Sequence, residues 1–213
     1  MSTHLYLVRH GQSEGNLTHS FLGHTDLPLT EHGRAQAEVA SRTLVTLSPD
    51  VIYSSDLLRA YQTAEPTAQK CALPIHTSKN LREIFAGDWE ALPFIQLESD
   101  FSSDFSVWRT DIGKARPTNG EAVCELYTHI EKELRRIVVE NEGKTVMVFL
   151  HATPIRVFSA LCSGLGFDGM KDLPWATNAS VSHFLYEDGE FSLVEYSRDS
   201  YLGELSTSLP GNV

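Results

Sequence analysis

Apolar residues along this chain come in two alternating rhythms. Leu5-Tyr6-Leu7-Val8 is a short strand-like run that stops at Arg9-His10-Gly11. Thr30 then offers an N-cap for a helix carrying Ala35, Val39, Ala40, Leu44 and Leu47 on one side. Val51-Ile52-Tyr53-Ser54 reads as a second strand, followed by a helix from about Leu57 to Ala68 that ends at turn and proline signals. The clearest helix runs from Glu121 to Glu140, where Val123, Leu126, Ile130, Leu134, Ile137 and Val138 repeat at three and four with charges opposite. Thr145 to Leu150 is almost wholly apolar, as expected of a central strand covered on both faces. Pro154 near a first turn marks another helix start. Val181–Tyr186 and Phe191–Tyr196 flank Asp188-Gly189 and read as a hairpin.

Strands alternating with helices predict an α/β fold: a three-layer sandwich with a mostly parallel central sheet covered by helices on both faces. A single domain over residues 1–213 suits this length. The segment from Pro93 to Pro117 breaks the rhythm and is rich in aromatics, with Phe94, Phe101, Phe105 and Trp108. It is expected either as a lid or specificity insertion, at about residues 91–118, or as a helical excursion that packs its aromatics into the core.

Composition adds one constraint and removes several options. The formal net charge is −11, which argues against nucleic acid or an anionic membrane as the main partner, since both require a basic face. An anionic substrate would then be held by a local cluster of positive groups. Three widely spaced cysteines, Cys71, Cys124 and Cys162, fit neither a disulfide framework nor a cysteine zinc site. No signal peptide and no membrane-spanning run is legible, so the cytoplasm is the expected location.

Candidate chemistry gathers where strands end. A neutral imidazole is a competent nucleophile at neutral pH, and His10 sits directly after the first strand. Arg9 offers a planar fork of donors for phosphate oxygens, and Gly11 is expected to let an anion approach the backbone N–H groups of the turn. Ser55 and His151 also lie at strand ends, where ligands bind in open α/β sheets, and the helix start at Thr153-Pro154 could aim N–H groups at an anion. Taken one at a time, these residues also fit plain roles. Arg-His-Gly suits a surface turn, Arg59 a surface ion pair, Glu83 a solvated carboxylate and His151 a hydrogen-bonded strand-end histidine.

Several segments together carry a resemblance. "LVRHGQSEGN" from Leu7 to Asn16, "DLPLTEHGRAQA" from Asp26, "IYSSDLLRAYQTA" from Ile52, "LREIFAGDWE" from Leu81 and "VMVFLHATPIR" from Val146 resemble, in order, the signature segments of the histidine phosphatase superfamily, the phosphoglycerate mutase-like enzymes. The resemblance implies His10 as nucleophile, Arg9, Arg59 and His151 around the phosphoryl group, and Glu83 as proton donor. Asn16 and Gly23 resemble positions that contact the phosphate or the rest of the substrate. Ala152 stands where the family usually has glycine after its second histidine, which implies a shifted substrate preference, and Ala91 replaces another frequent glycine. No metal and no other cofactor is implied, and the spacing of His19, His24 and Asp26 matches no compact ligand motif.

"FAGDWE" resembles the phosphatase branch more than the mutases. The expected activity is therefore metal-independent hydrolysis of a small phosphate ester through a phosphohistidine. Alternatives are a cofactor-dependent phosphoglycerate mutase and an inactive sensor of phosphorylated ligands. Because such relatives commonly dimerise, a homodimer is also expected.

Overall fold

The computed structural model describes residues 2–207. In chain order its elements are β1 (Thr3–Arg9), α1 (Glu14–Leu17), α2 (Glu31–Leu44), β2 (Val51–Ser55), α3 (Leu58–Cys71), β3 (Ile75–Ser78), α4 (Phe94–Asp100), α5 (Ser102–Thr110), α6 (Val123–Glu140), β4 (Thr145–Leu150), α7 (Ala152–Cys162), α8 (Gly166–Gly169), β5 (Val181–Glu187) and β6 (Glu190–Arg198). The six strands form one sheet in the order β3-β2-β4-β1-β5-β6. Contacts β3·β2, β2·β4 and β4·β1 are parallel, whereas β5 and β6 run antiparallel. The predicted hairpin closes through Asp188 and Gly189, both at positive φ as a two-residue type I′ connection requires.

The two faces of β4 show how one apolar run builds two layers. Val146, Val148 and Leu150 point into a core shared with Leu126, Ile130 and Leu134 of α6 and with Ile155 and Phe158 of α7. Met147 and Phe149 point the other way, onto Ala40 and Leu44 of α2 and Ala64 and Ala68 of α3. Side chains alternate along a strand, so a strand covered on both sides has to be apolar throughout. No helix among the described residues is long and apolar enough to cross a membrane.

Two sequence expectations shift in detail. In α2, Ala40 and Leu44 are buried, but Ala35 and Val39 are only half-buried, as is Leu47 beyond the helix end; polar Gln36 and Ser41 are buried instead. The helix is turned because Gln36 serves as a brace: its Oε1 accepts from the Gln12 N–H at 2.8 Å and its Nε2 donates to the Leu205 carbonyl at 2.8 Å. Helix α3 runs past the expected stop to Cys71, carrying Pro66 inside it, and ends where Ala72 turns left-handed.

The segment after Ala91 is helical. Its short helices α4 and α5 bury Leu97, Phe105 and Trp108 against Phe21 and Trp89. The helical-excursion expectation therefore describes its packing.

Close packing at the N-terminus of α2 fixes the loop after β1. Thr30 caps the helix by accepting from the Gly33 N–H at 3.0 Å, while its own hydroxyl reaches Gln12. A Cβ on Gly33 would stand 2.0 Å from the Gln12 carbonyl oxygen, and one on Gly11 would stand 2.6 Å from the Gly33 carbonyl oxygen. Backbone there cannot yield as a flexible side chain would. Gly33→Ala is expected to cost about 1–3 kcal/mol by overpacking and to lower kcat by displacing the loop. Urea unfolding beside steady-state kinetics checks both, and wild-type values for both would contradict this packing account.

Candidate active site

At the carboxyl ends of β1, β2 and β4 the chain gathers an unusual set of buried polar groups. Arg9, His10, Arg59 and His151 are all no more than 5% exposed. β1 delivers Arg9 as its last residue, and His10 extends the ladder by donating its N–H to the Leu150 carbonyl at 3.0 Å. His151 follows β4 and caps α7, and Arg59 lies in the first turn of α3. All four sequence-predicted residues thus converge with Glu83, Asn16, Gly23 and Ala152 on one cavity of about 280 Å³, in which His151 stands behind the lining, its ring 5.3 Å from that of His10.

The imidazole of His10 is oriented by its own chain. Its Nδ1 lies 2.7 Å from the Gly11 carbonyl, an acceptor only, so Nδ1 carries the proton and Nε2 keeps its lone pair. Burial, with the Arg59 and Arg9 charges beside it, holds this imidazole well below the ordinary histidine value. It is neutral at neutral pH. Burial, with Arg59, His10, His24 and Arg9 nearby, does the same to His151, whose Nε2 lies 2.9 Å from Ser55 Oγ. Its Nδ1 is buried with no hydrogen-bond partner among the described residues.

Both guanidiniums are held by backbone carbonyls. Arg9 donates to Ala176, and Arg59 donates to Gly23 at 2.8 Å and Thr25 at 2.9 Å. Burial lowers each to about 10, so both stay charged. Their Nε–H groups are buried with no acceptor among the described residues. Both side chains line the cavity, so an anion seated there would lie against two buried cations.

Glu83 is half-buried beside them. Its Oε1 accepts from the Ile84 N–H at 2.8 Å and its Oε2 from the Thr153 N–H at 3.2 Å, with the Thr153 hydroxyl adding a further bond. Desolvation outweighs these bonds and raises its carboxyl above the ordinary glutamate value. At the start of α7 the Thr153 N–H meets the Glu83 carboxyl, an acceptor from the protein itself.

Other predicted residues take defined places. Asn16 uses Oδ1 to accept from the Ser13 N–H and hydroxyl and from Asn178 Nδ2, so its own amino group is the end left for the cavity. Gly23 lies at φ +50, where a Cβ would come within 2.2 Å of Glu90 Oε1. Ala152 puts its methyl group on the cavity wall. Ala91 sits at φ +60, a backbone conformation that favours glycine. One expectation is corrected. Gly11 does not open its N–H to an anion, because Thr63 Oγ1 accepts it at 3.0 Å; glycine is required there by the approach of Gly33. His24 Nε2 faces the Glu83 carbonyl, Asp26 accepts from the Leu58 N–H, and among the described residues no three His, Cys, Asp or Glu side chains could hold a metal together.

Sequence reasoning missed the supports. Buried Asn178 donates to the His10 carbonyl at 3.1 Å and to Asn16, and its own Oδ1 accepts from Thr207. Thr63 and Thr153 hold the His10 loop and Glu83. Of the supports, Ser55 gave a signal as a polar residue ending an apolar strand, and Thr153 as part of the Thr153-Pro154 helix start; Asn178 and Thr63 gave none.

Proteins similar to this chain include named phosphatases. The chain is 31% identical to the adenosylcobalamin/alpha-ribazole phosphatase of Salmonella typhimurium, over 90% of this chain and 89% of that one. It is 37% identical to the glucosyl-3-phosphoglycerate phosphatase of Mycobacterium tuberculosis, over 83% and 82%. The solved structure of Bacillus stearothermophilus YhfR superposes with a TM-score of 0.90 at 28% identity, covering 94% of this chain and 99% of that one. The family model for the histidine phosphatase superfamily (branch 1) matches residues 5–199, and the chain belongs to that superfamily.

Proposed function

We propose that this protein hydrolyses small phosphate monoesters, with His10 as nucleophile and Glu83 as proton donor. The observation that carries this reading is a neutral imidazole, its Nε2 lone pair free, set beside two buried guanidiniums that line the same cavity. In the first step Nε2 attacks phosphorus while the bond from phosphorus to the ester oxygen breaks. Arg9, Arg59, His151 and the Asn16 amino group surround the non-bridging oxygens, where charge accumulates in transfer. Glu83 gives its proton to the departing alkoxide. Water then attacks phosphorus, Glu83 takes a proton from it, and breaking the P–N bond returns neutral His10 and inorganic phosphate.

The raised Glu83 carboxyl supports its place in this scheme, since a proton donor must hold its proton at working pH. Membership of a family whose similar members include two named phosphatases supports hydrolysis over mutase chemistry. Phe94 and Trp108, from the 91–118 segment, line the cavity and support its role as a specificity insertion.

Glu83→Gln is expected to lower kcat/KM by about 10²–10⁴-fold for alkyl phosphates such as 2-phenylethyl phosphate, with a much smaller loss for p-nitrophenyl phosphate, whose leaving group needs little protonation. Equal losses on both esters would argue against the proton-donor role.

The pH profile follows from the directions of the shifts. His10 lies below its ordinary value, so the nucleophile stays deprotonated well into acid; Glu83 lies above its own, so the acid stays protonated toward neutrality. Corrected for ionisation of the substrate, kcat/KM should peak on the acid side of neutrality and fall as pH rises through the Glu83 value. Glu83→Gln should lose that basic limb, and a limb surviving in the variant would assign it to another group.

A further inference from the structure

The cavity has more room than a phosphoryl group needs, and one side of its remaining wall is apolar and aromatic. Beyond the phosphoryl seat, Leu17, Phe21, Phe94, Trp108 and Trp175 make its apolar side, with Gln12, Ser20, Asn178 and Thr207 as uncharged polar neighbours. Trp108 and Trp175 stack with ring centroids 6.1 Å apart and planes 24° apart, and Phe21 meets Trp108 edge-on at 4.9 Å. The buried Arg156 guanidinium lies over the Trp175 ring, 4.3 Å from its centroid. A cation–π contact of this kind, desolvated on the protein side, fixes the ring as a rigid surface.

Charge along the same wall is as informative as its shape. Arg9 and Arg59 are the only lysine or arginine side chains lining the cavity among the described residues, and both belong to the phosphoryl seat. His19 is exposed at the rim, where water and salt screen it. A carboxylate or second phosphate on the leaving group would find no buried counter-charge, in a chain whose formal net charge is −11. Burying such a group unpaired is costly, whereas an uncharged ring gains apolar contact and stacking.

We infer that the preferred substrates are phosphate monoesters whose alcohol is uncharged and carries a flat ring, held against the wall of Trp108 and Trp175. Trp175 is the specificity-determining residue, and compact anionic alcohols such as glycerate are disfavoured. This inference rests on the phosphomonoesterase reading above.

The test compares kcat/KM for three alkyl esters of similar leaving-group strength: 2-phenylethyl phosphate, ethyl phosphate and 3-phosphoglycerate. Wild-type protein should prefer the ring-bearing ester over both others by at least about tenfold. In Trp175→Ala the ratio for 2-phenylethyl over ethyl phosphate should fall by about 10- to 100-fold, the range of one lost stacking contact, with the loss in KM more than in kcat. Trp175→Phe, which keeps a ring, should retain most of the ratio and guards against a folding defect in the alanine variant. Equal or better turnover of 3-phosphoglycerate, or an unchanged ratio in folded Trp175→Ala, would overturn the inference and leave the hydrolase reading standing. No phosphate release from any of the three esters by wild-type protein would overturn both.

Discussion

Burial of two guanidiniums whose hydrogen bonds go to backbone carbonyls is the constraint on which the rest of this structure depends. Removing a cation from water costs several kcal/mol even after relaxation. Here the carbonyls of Gly23, Thr25 and Ala176 offset part of that cost, and the downward shifts of Arg9 and Arg59 to about 10 record the remainder. A protein selected only for stability would place carboxylates on these donors. Both cations instead line the cavity with no carboxylate hydrogen-bonded to them among the described residues, and in the proposed reading a phosphoryl group is their counter-charge. Burial, with the same two charges beside it, holds His10 well below its ordinary value and keeps it neutral.

The fold bears that cost through rigid surroundings. Parallel strands β2, β4 and β1 end side by side, which brings Ser55, His151 and His10 together although they lie far apart in sequence. Helix α2 presses on the loop after β1 through glycine-to-backbone contacts, and Gln36 pins Gln12 from the side. Segments 23–25 and 174–178 supply the carbonyls and the Asn178 amide that aim Arg59, Arg9 and Asn16. Glu90 organises the first of these by accepting from the His24 and Thr25 N–H groups, each at 2.8 Å.

Much of this was legible in the sequence, and the boundary has a physical basis. Apolar periodicity reports which faces are covered, so β4 and α6 were readable nearly to the residue, as was the hairpin about Asp188-Gly189. The candidate residues at strand ends were readable through the resemblance of their segments taken together, since Arg-His-Gly alone equally suits a surface turn. What stayed hidden depends on contacts between distant segments. Gln36 turns α2 away from its most apolar face, the purpose of Gly11 emerges only once Gly33 is beside it, and Asn178 is an unremarkable polar residue until β5 returns next to β1. The aromatic run after Ala91 was ambiguous because Phe105 and Trp108 build core while Phe94 and Trp108 also wall the cavity, and one dimension cannot separate those duties.

The central claim is that the phosphoryl group passes through Nε2 of His10. The most direct measurement is to mix the protein with radiolabelled 2-phenylethyl phosphate, quench in alkali during turnover, and map the label by peptide analysis. This account predicts an acid-labile, alkali-stable label on the peptide carrying His10, absent from His10→Ala. Sustained hydrolysis with the label on another residue, or undiminished hydrolysis by His10→Ala, would contradict it.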